Sequence, residues 1–151
     1  MRWRRSTAVE NESLRRHQRS AGCILARREP FYADAVSIWS LSERGRIEGL
    51  VSVISFNNAY YVVRRASNRK SAEKALHWMR DIFTPVPLSV QILNQAIDAG
   101  YKDFEDAIQF HSAVHAEAGC LITRDVDHFP TTDVPILSPA AFLASLPSEE
   151  A

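Results

Sequence analysis

Cysteine is scarce in this chain of 151 residues, and long apolar runs are missing from it. Its two cysteines, Cys23 and Cys120, are too few for a disulfide framework, and neither has a partner at metal-site spacing. We interpret this content as fitting a reducing cytoplasm, with Cys120 a small buried strand residue. No stretch reaches the roughly 20 apolar residues of a membrane-spanning helix, and the basic N-terminus lacks the apolar segment of a secretory signal. The sequence therefore predicts a cytoplasmic protein without a membrane anchor.

The formal net charge is zero, so the molecule as a whole is not an electrostatic binder of nucleic acid. The charge is uneven, because residues 1–28 hold eight arginines and two acids while the last fifty residues are acidic on balance. The length predicts one domain. Residues 1–23 show neither a helical nor a strand period, which predicts an irregular basic segment. We therefore expect the folded domain at 24–147 and an acidic tail at 148–151.

From Ile24 onward, helical periods alternate with short apolar runs. Ser55 is the expected N-cap of one helix, which places Asn58 at its third position, and Ser71 is the expected cap of the next. Such alternation predicts a parallel α/β sheet with helices on both faces. The sequence predicts helices near residues 31–44, 55–66, 71–82, 89–99, 103–118 and 138–146, and strands near 50–54, 84–87, 120–122 and 134–137.

An acidic segment near the C-terminus carries the candidate site. Asp103 and Asp106 are three residues apart, so they share one face of a helix, and Gly119 suits the left-handed cap that would end it. Cys120–Ile122 follows as a short buried strand, and Asp125 would emerge at its carboxyl end, where open α/β sheets hold their sites. Asp106 and Asp125 could then converge on one divalent cation such as Mg²⁺, with their carboxylates on the order of 4–6 Å apart.

The order and spacing of several blocks resemble one known family. FEDAIQ is followed about a dozen residues later by LITRD and a phenylalanine, and upstream stand REPFYADA and VSVISFNNAYYVVRR. These blocks, spread over about Ile24 to Leu146, resemble PIN-domain proteins, many of which are toxin ribonucleases of toxin–antitoxin pairs. The resemblance implies a PIN-like parallel α/β fold, RNA cleavage that depends on Mg²⁺ or Mn²⁺, an antitoxin partner and a homodimer.

The resemblance also implies roles for particular residues. Asp106 and Asp125 match the family's metal-binding acids, and Asp103 is a further candidate catalytic carboxylate. Thr123 would help Asp125 by hydrogen bonding, and together with Arg124 it would contact the substrate. Most members carry glutamate where this chain has Asn58, which would instead hydrogen-bond a water on the metal.

Other polar side chains nearby have simpler interpretations. Glu105 is expected to be surface charge, and Asp127 lies outside the family pattern. A zinc site made by histidines is disfavoured, because His111 and His115 lack both a third ligand and a catalytic glutamate between them. We interpret these two and His128 as core or surface residues.

The serious departure from the family is at the start of the domain. PIN domains open with a central apolar strand that ends in Asp-x-Asn, and nothing in residues 1–23 fits it. Asp106 and Asp125 alone should hold a metal weakly, so the chain is expected to be an impaired ribonuclease. The alternatives are a non-catalytic PIN-like interaction protein and, less favoured, another doubly wound domain such as an aspartate-bearing receiver.

A frameshift would explain the missing strand. Permitted codons for Glu10 to Cys23, read from the second base, give Met-Lys-Val-Phe-Val-Asp-Thr-Asn-Val-Ala-Leu-Asp, and a slip beside Cys23 would join this segment to Ile24. The written chain instead has Arg-Arg-His-Gln-Arg, whose charges are too costly for a buried strand. We therefore expect the first strand to be absent or degenerate, with residues 1–23 outside a sheet that is one strand short.

Overall fold

A computed structural model describes residues 23–25, 33–130, 132 and 134–147. Within these residues, five strands form one sheet in the order β3-β2-β1-β4-β5, and every neighbouring pair is parallel. The strands are β1 (Cys23–Leu25), β2 (Gly49–Ser52), β3 (Thr84–Val86), β4 (Cys120–Ile122) and β5 (Ile136–Leu137). The helices are α1 (Ala33–Glu43), α2 (Val53–Ala66), α3 (Arg69–Ile82), α4 (Val90–Asp98), α5 (Phe104–His115) and α6 (Pro139–Ser145).

Helices cover both faces of the sheet, as the sequence predicted. Leu121 of β4 packs in one cluster with Ala113 of α5. Its neighbour Ile122 packs in another cluster, with Ile38 of α1 and Phe142 of α6. Successive side chains of a strand point to opposite faces, so α5 lies on one face, and α1 and α6 lie on the other. The α/β fold class is confirmed.

The centre of the sheet is not empty, and here the prediction of a missing strand is wrong. Cys23–Leu25 pairs with β2 on one side and β4 on the other. The facing edges of β2 and β4 need backbone partners, and Cys23–Leu25 supplies them. The residues that follow in the sequence, Ala26, Arg27 and Arg28, bring no acid to this strand end. The predicted irregular segment, apart from Cys23, lies outside the described residues.

Two helix starts differ from the predicted ones. Helix α2 begins at Val53 with Ser52 as its N-cap, one turn before the predicted cap Ser55. The sequence favoured strand here because Val53 is β-branched, a local preference that tertiary packing commonly overrides. The cap of α3 is Asn68, whose side chain accepts a hydrogen bond from the Ser71 amide, so Ser71 is not the cap.

The end of α5 also differs from the predicted one. The left-handed backbone near the end of α5 belongs to Glu117, with φ of 51°, and not to Gly119. Gly45 and Gly100 follow α1 and α4 and have φ of 66° and 67°, as expected of glycine at helix ends.

Cys120 is buried in β4, as predicted, but it is also disulfide-bonded. Parallel pairing places the backbone of Cys23 opposite Cys120. A low cysteine count therefore did not exclude a disulfide, and it does not indicate a reducing compartment for this chain. Among the helices of the described residues, none has the length and apolar character needed to cross a bilayer.

Candidate functional site

Helix α5 brings a carboxylate to the carboxyl edge of the sheet. Its N-cap is Asp103, whose side chain accepts a hydrogen bond of 2.9 Å from the Glu105 amide. One turn along, Asp106 is only 3% exposed. Desolvation of a carboxylate is costly unless a partner offsets that cost. The groups that contact Asp106 therefore determine which chemistry is available at this edge of the sheet.

The described partner of Asp106 is His128, in the short 3-10 helix Val126–His128 that follows β4. Nδ1 of His128 lies 2.9 Å from Oδ2 of Asp106, and the imidazole side chain is 54% exposed. The hydrogen bond to Asp106 raises the pKa of His128, and the charges of Asp106, Asp125 and Asp103 raise it further, against a smaller opposing effect of burial. The imidazole thus contacts one carboxylate, Asp106, and feels the charge of two more.

Asp125 emerges after β4, at the predicted strand end. The hydroxyl of Thr123 accepts a hydrogen bond of 3.1 Å from the Asp125 amide. Thr123 is itself 3% exposed, and its amide donates to the carbonyl of Leu137 in β5. The backbone turn that presents Asp125 is thus fixed to the sheet. Arg124, between them, is exposed.

A seam of polar side chains joins the start of α2 to α5. On both helices the participating residues recur every three or four positions, so they form one face of each helix. The deepest pair is fully buried and the outermost pair is half-buried. The side-chain pairs are Ser52–Ser112 at 3.4 Å, Ser55–Gln109 at 2.8 Å and Asn58–Glu105 at 2.7 Å.

This seam corrects the interpretation of Glu105 and gives Asn58 a different contact. Glu105 was expected to be surface charge, but it is half-buried and accepts a hydrogen bond from Nδ2 of Asn58. Gln109 is fully buried, and its Oε1 has no hydrogen-bond partner among the described residues. The site therefore has a carboxylate on α5 beside the amide on α2.

The described residues do not complete a metal site. Among them, no three histidine, cysteine, aspartate or glutamate side chains are grouped closely enough to hold an ion. Oδ2 of Asp106 is in contact with His128, and β1 is followed in the sequence by Ala26 and Arg27. The chemistry that this edge offers by itself is a set of carboxylates around an imidazole, and a hard cation would need another oxygen ligand.

The histidines divide into two kinds. Burial lowers the pKa of His111, and the charge of His115 lowers it further. Nε2 of His115 lies 2.8 Å from Oε1 of Gln95. This contact is away from the acidic edge, the carboxyl edge of the sheet that carries Asp103, Asp106 and Asp125. The contact of His128 with Asp106 was not predicted from the sequence. The two residues are 22 positions apart, and no local pattern of the sequence indicates such a contact.

The comparison with known proteins agrees with this fold. The family model for the PIN domain matches residues 23–127, which is more than half of the chain. No curated protein matched the chain. PIN domains are generally nucleases, and divalent metals are typical of them. This chain belongs to the PIN-domain family.

Proposed function

We propose that this chain is a PIN-type endoribonuclease whose activity is impaired as written. The observation that supports the proposal is the buried carboxylate of Asp106 at the carboxyl edge of the sheet. The charges of Asp125 and Asp103 raise the pKa of His128 in the same direction as the charge of Asp106. A buried carboxylate among further acids is an expensive arrangement, and it is the arrangement expected where a cation assists the cleavage of a phosphodiester.

The proposed cofactor is Mg²⁺ or Mn²⁺, with Asp106 and Asp125 as its protein ligands and Asp103 near them. Two carboxylates hold such an ion weakly, because hard cations prefer several oxygen ligands. Asn58 would hydrogen-bond a water of the ion through its carbonyl oxygen or its second N–H, since one N–H already donates to Glu105. Thr123 would keep Asp125 in place, and Arg124 would contact the RNA.

We also propose that a frameshift replaced the family's first strand, with its Asp-x-Asn end, and that Cys23–Leu25 now occupies the centre of the sheet. The family match begins at residue 23, beside the position where the shifted reading frame would rejoin. The lost segment would have supplied the acid that the end of β1 lacks. The coding DNA tests this directly, since codons that forbid the shifted reading of Glu10 to Cys23 would eliminate the idea. On this proposal the folded domain remains 24–147.

Cleavage of single-stranded RNA by a restored chain tests the reaction. Residues 1–23 are replaced by the shifted segment that ends in Asp-Thr-Asn-Val-Ala-Leu-Asp, and the written chain is assayed beside it. We expect the restored chain to cleave RNA with Mn²⁺ or Mg²⁺ and the written chain to be slower by at least about 100-fold, since removing a key ligand or catalytic group costs on the order of 3 kcal/mol or more.

In the restored chain, Asp106→Asn should abolish cleavage by removing a ligand charge, while Asp127→Asn, which changes an acid outside the family pattern, should keep it. Cleavage that survives Asp106→Asn, or that ignores EDTA, would reject the mechanism. If the restored chain folds and never cleaves, the non-catalytic interaction protein becomes the better description.

The proposed setting is a toxin–antitoxin pair in the cytoplasm, with the toxin as a homodimer. This part of the proposal is supported by the family resemblance alone. Induction of the restored chain should arrest growth, and the purified protein should have the mass of two chains by light scattering. Normal growth under induction of an active, soluble chain would contradict the toxin role.

A further inference from the structure

The hairpin of α2 and α3 ends in a basic and aromatic surface. Residues 60–74 hold five cations and a single acid, so the rest of this neutral chain carries the compensating negative charge. All five cations are exposed. They are Arg64, Arg65, Arg69, Lys70 and Lys74.

Most of this positive charge is not neutralised locally. Arg69 donates to Glu73 at 2.7 Å. The other four cations make no ion pair with another described residue. The guanidinium of Arg64 lies 6.0 Å from the centre of the Tyr60 ring. The tip of the hairpin therefore presents free positive charge beside an aromatic side chain, which is the composition of surfaces that bind nucleic acid.

Helix α2 connects this tip to the acidic edge. Asn58, which contacts Glu105 of α5, has Tyr61 and Arg65 three and seven positions further along the chain, so all three lie on one face of the helix. At a rise of about 1.5 Å per residue, Arg65 is roughly 10 Å beyond Asn58. Tyr61 is 62% exposed, and α2 has no buried residue. An open strip thus runs from the candidate site to the tip.

We propose that Tyr61, Arg64, Arg65 and Lys70 form an RNA arm, which binds the backbone of single-stranded RNA and leads it to the acidic edge. The edge itself repels phosphates, because Asp103, Asp106 and Asp125 gather there, so the attraction must come from a neighbouring surface. Cations would contact the phosphates, and the exposed ring of Tyr61 would stack on a base. An acidic peptide would use the cations but gain little from stacking, so the exposed tyrosine favours RNA. The inference rests on the RNA substrate of the proposed function.

The test is binding of a fluorescently labelled oligouridine to the full chain in EDTA, followed by anisotropy at several salt concentrations. Arg64→Gln with Arg65→Gln should weaken binding at least about tenfold at low salt and reduce the salt slope by about 1.4, since each phosphate contact to a single strand contributes roughly 0.7. The control, Arg44→Gln with Arg80→Gln, removes the same charge from exposed positions outside the hairpin tip and should stay within about twofold.

Tyr61→Ala should weaken binding about fivefold or more, while Tyr61→Phe, which keeps the ring, should bind as the unchanged chain does. Equal losses in the two double variants, no binding by the unchanged chain, or tighter binding of polyglutamate than of RNA would each overturn the RNA arm. Because EDTA stops cleavage, the outcomes are separable. Binding that depends on the arm, in a chain that never cleaves even when restored, would keep the arm and reject the nuclease.

Discussion

His128 shows how a single residue depends on the acids around it. The hydrogen bond that His128 donates to Asp106 raises the pKa of His128, whereas burial lowers the pKa of His111. The two imidazoles should therefore titrate on opposite sides of the ordinary value of about 6.5. A group whose pKa is raised in the folded state stabilises the fold fully at low pH. That stabilisation is lost as the pH rises through the folded-state pKa.

We predict that Asp106→Asn lowers the pKa of His128 and leaves that of His111 nearly unchanged. The reason is that asparagine keeps the shape of the side chain but removes the charge that stabilises the imidazolium. An NMR titration of the imidazole signals measures both values in one sample. A pKa of His128 that is the same in the two proteins would mean that the contact with Asp106 does not govern its protonation.

Helices α2 and α5 meet at the polar seam. Its outermost pair, Asn58 and Glu105, is the pair closest to the acidic edge. Asn58 and Glu105 are 47 positions apart in the chain, and their hydrogen bond of 2.7 Å is partly buried. A hydrogen bond to a charged group contributes about 1.5–3 kcal/mol. This bond therefore fixes the first turn of α5, which carries Asp103 and Asp106 on either side of Glu105.

We predict a coupling of about 1.5 kcal/mol between Asn58 and Glu105, measured by a double-mutant cycle of alanine variants and urea unfolding. The matched control is the exposed hydrogen bond between Ser67 and Ser71, for which we expect about 0.3 kcal/mol or less. If both cycles give the same small coupling, the pair does not hold the two helices together, and the placement of Asp106 has another cause.

At the scale of the whole molecule, the central strand of the sheet is short. β1 has three residues, whereas the restored segment brings the apolar run Met-Lys-Val-Phe-Val. Burial of a valine or phenylalanine side chain contributes about 1.5–3 kcal/mol. A longer central strand would therefore stabilise the fold as well as supply the missing acid.

We predict that the restored chain has a free energy of unfolding at least about 2 kcal/mol greater than that of the written chain. Urea unfolding of the two chains under reducing conditions measures the difference, since the replacement also removes Cys23. The restored chain with its new central aspartate changed to asparagine is the control for charge. Equal stability of the restored and written chains would show that residues 1–23 do not stand in place of a lost strand.

The sequence by itself determined the alternation of helices and strands after β1 and the strand end from which Asp125 emerges. Periodicity is local, so the alternation of helices and strands and the exit of Asp125 after β4 could be predicted. Parallel strands then follow from that alternation. These features were enough to predict the α/β class and the position of Asp106 on a helix.

The tertiary structure alone decided which side chains touch, because those contacts join residues far apart in the chain. The pairing of His128 with Asp106 and of Asn58 with Glu105 spans 22 and 47 positions, and no local period reports it. Packing also set the start of α2 at Val53 against its strand propensity. Cys23–Leu25 pairs with β2 on one side and β4 on the other. Backbone groups in the middle of a sheet need hydrogen-bond partners, and this segment provides them.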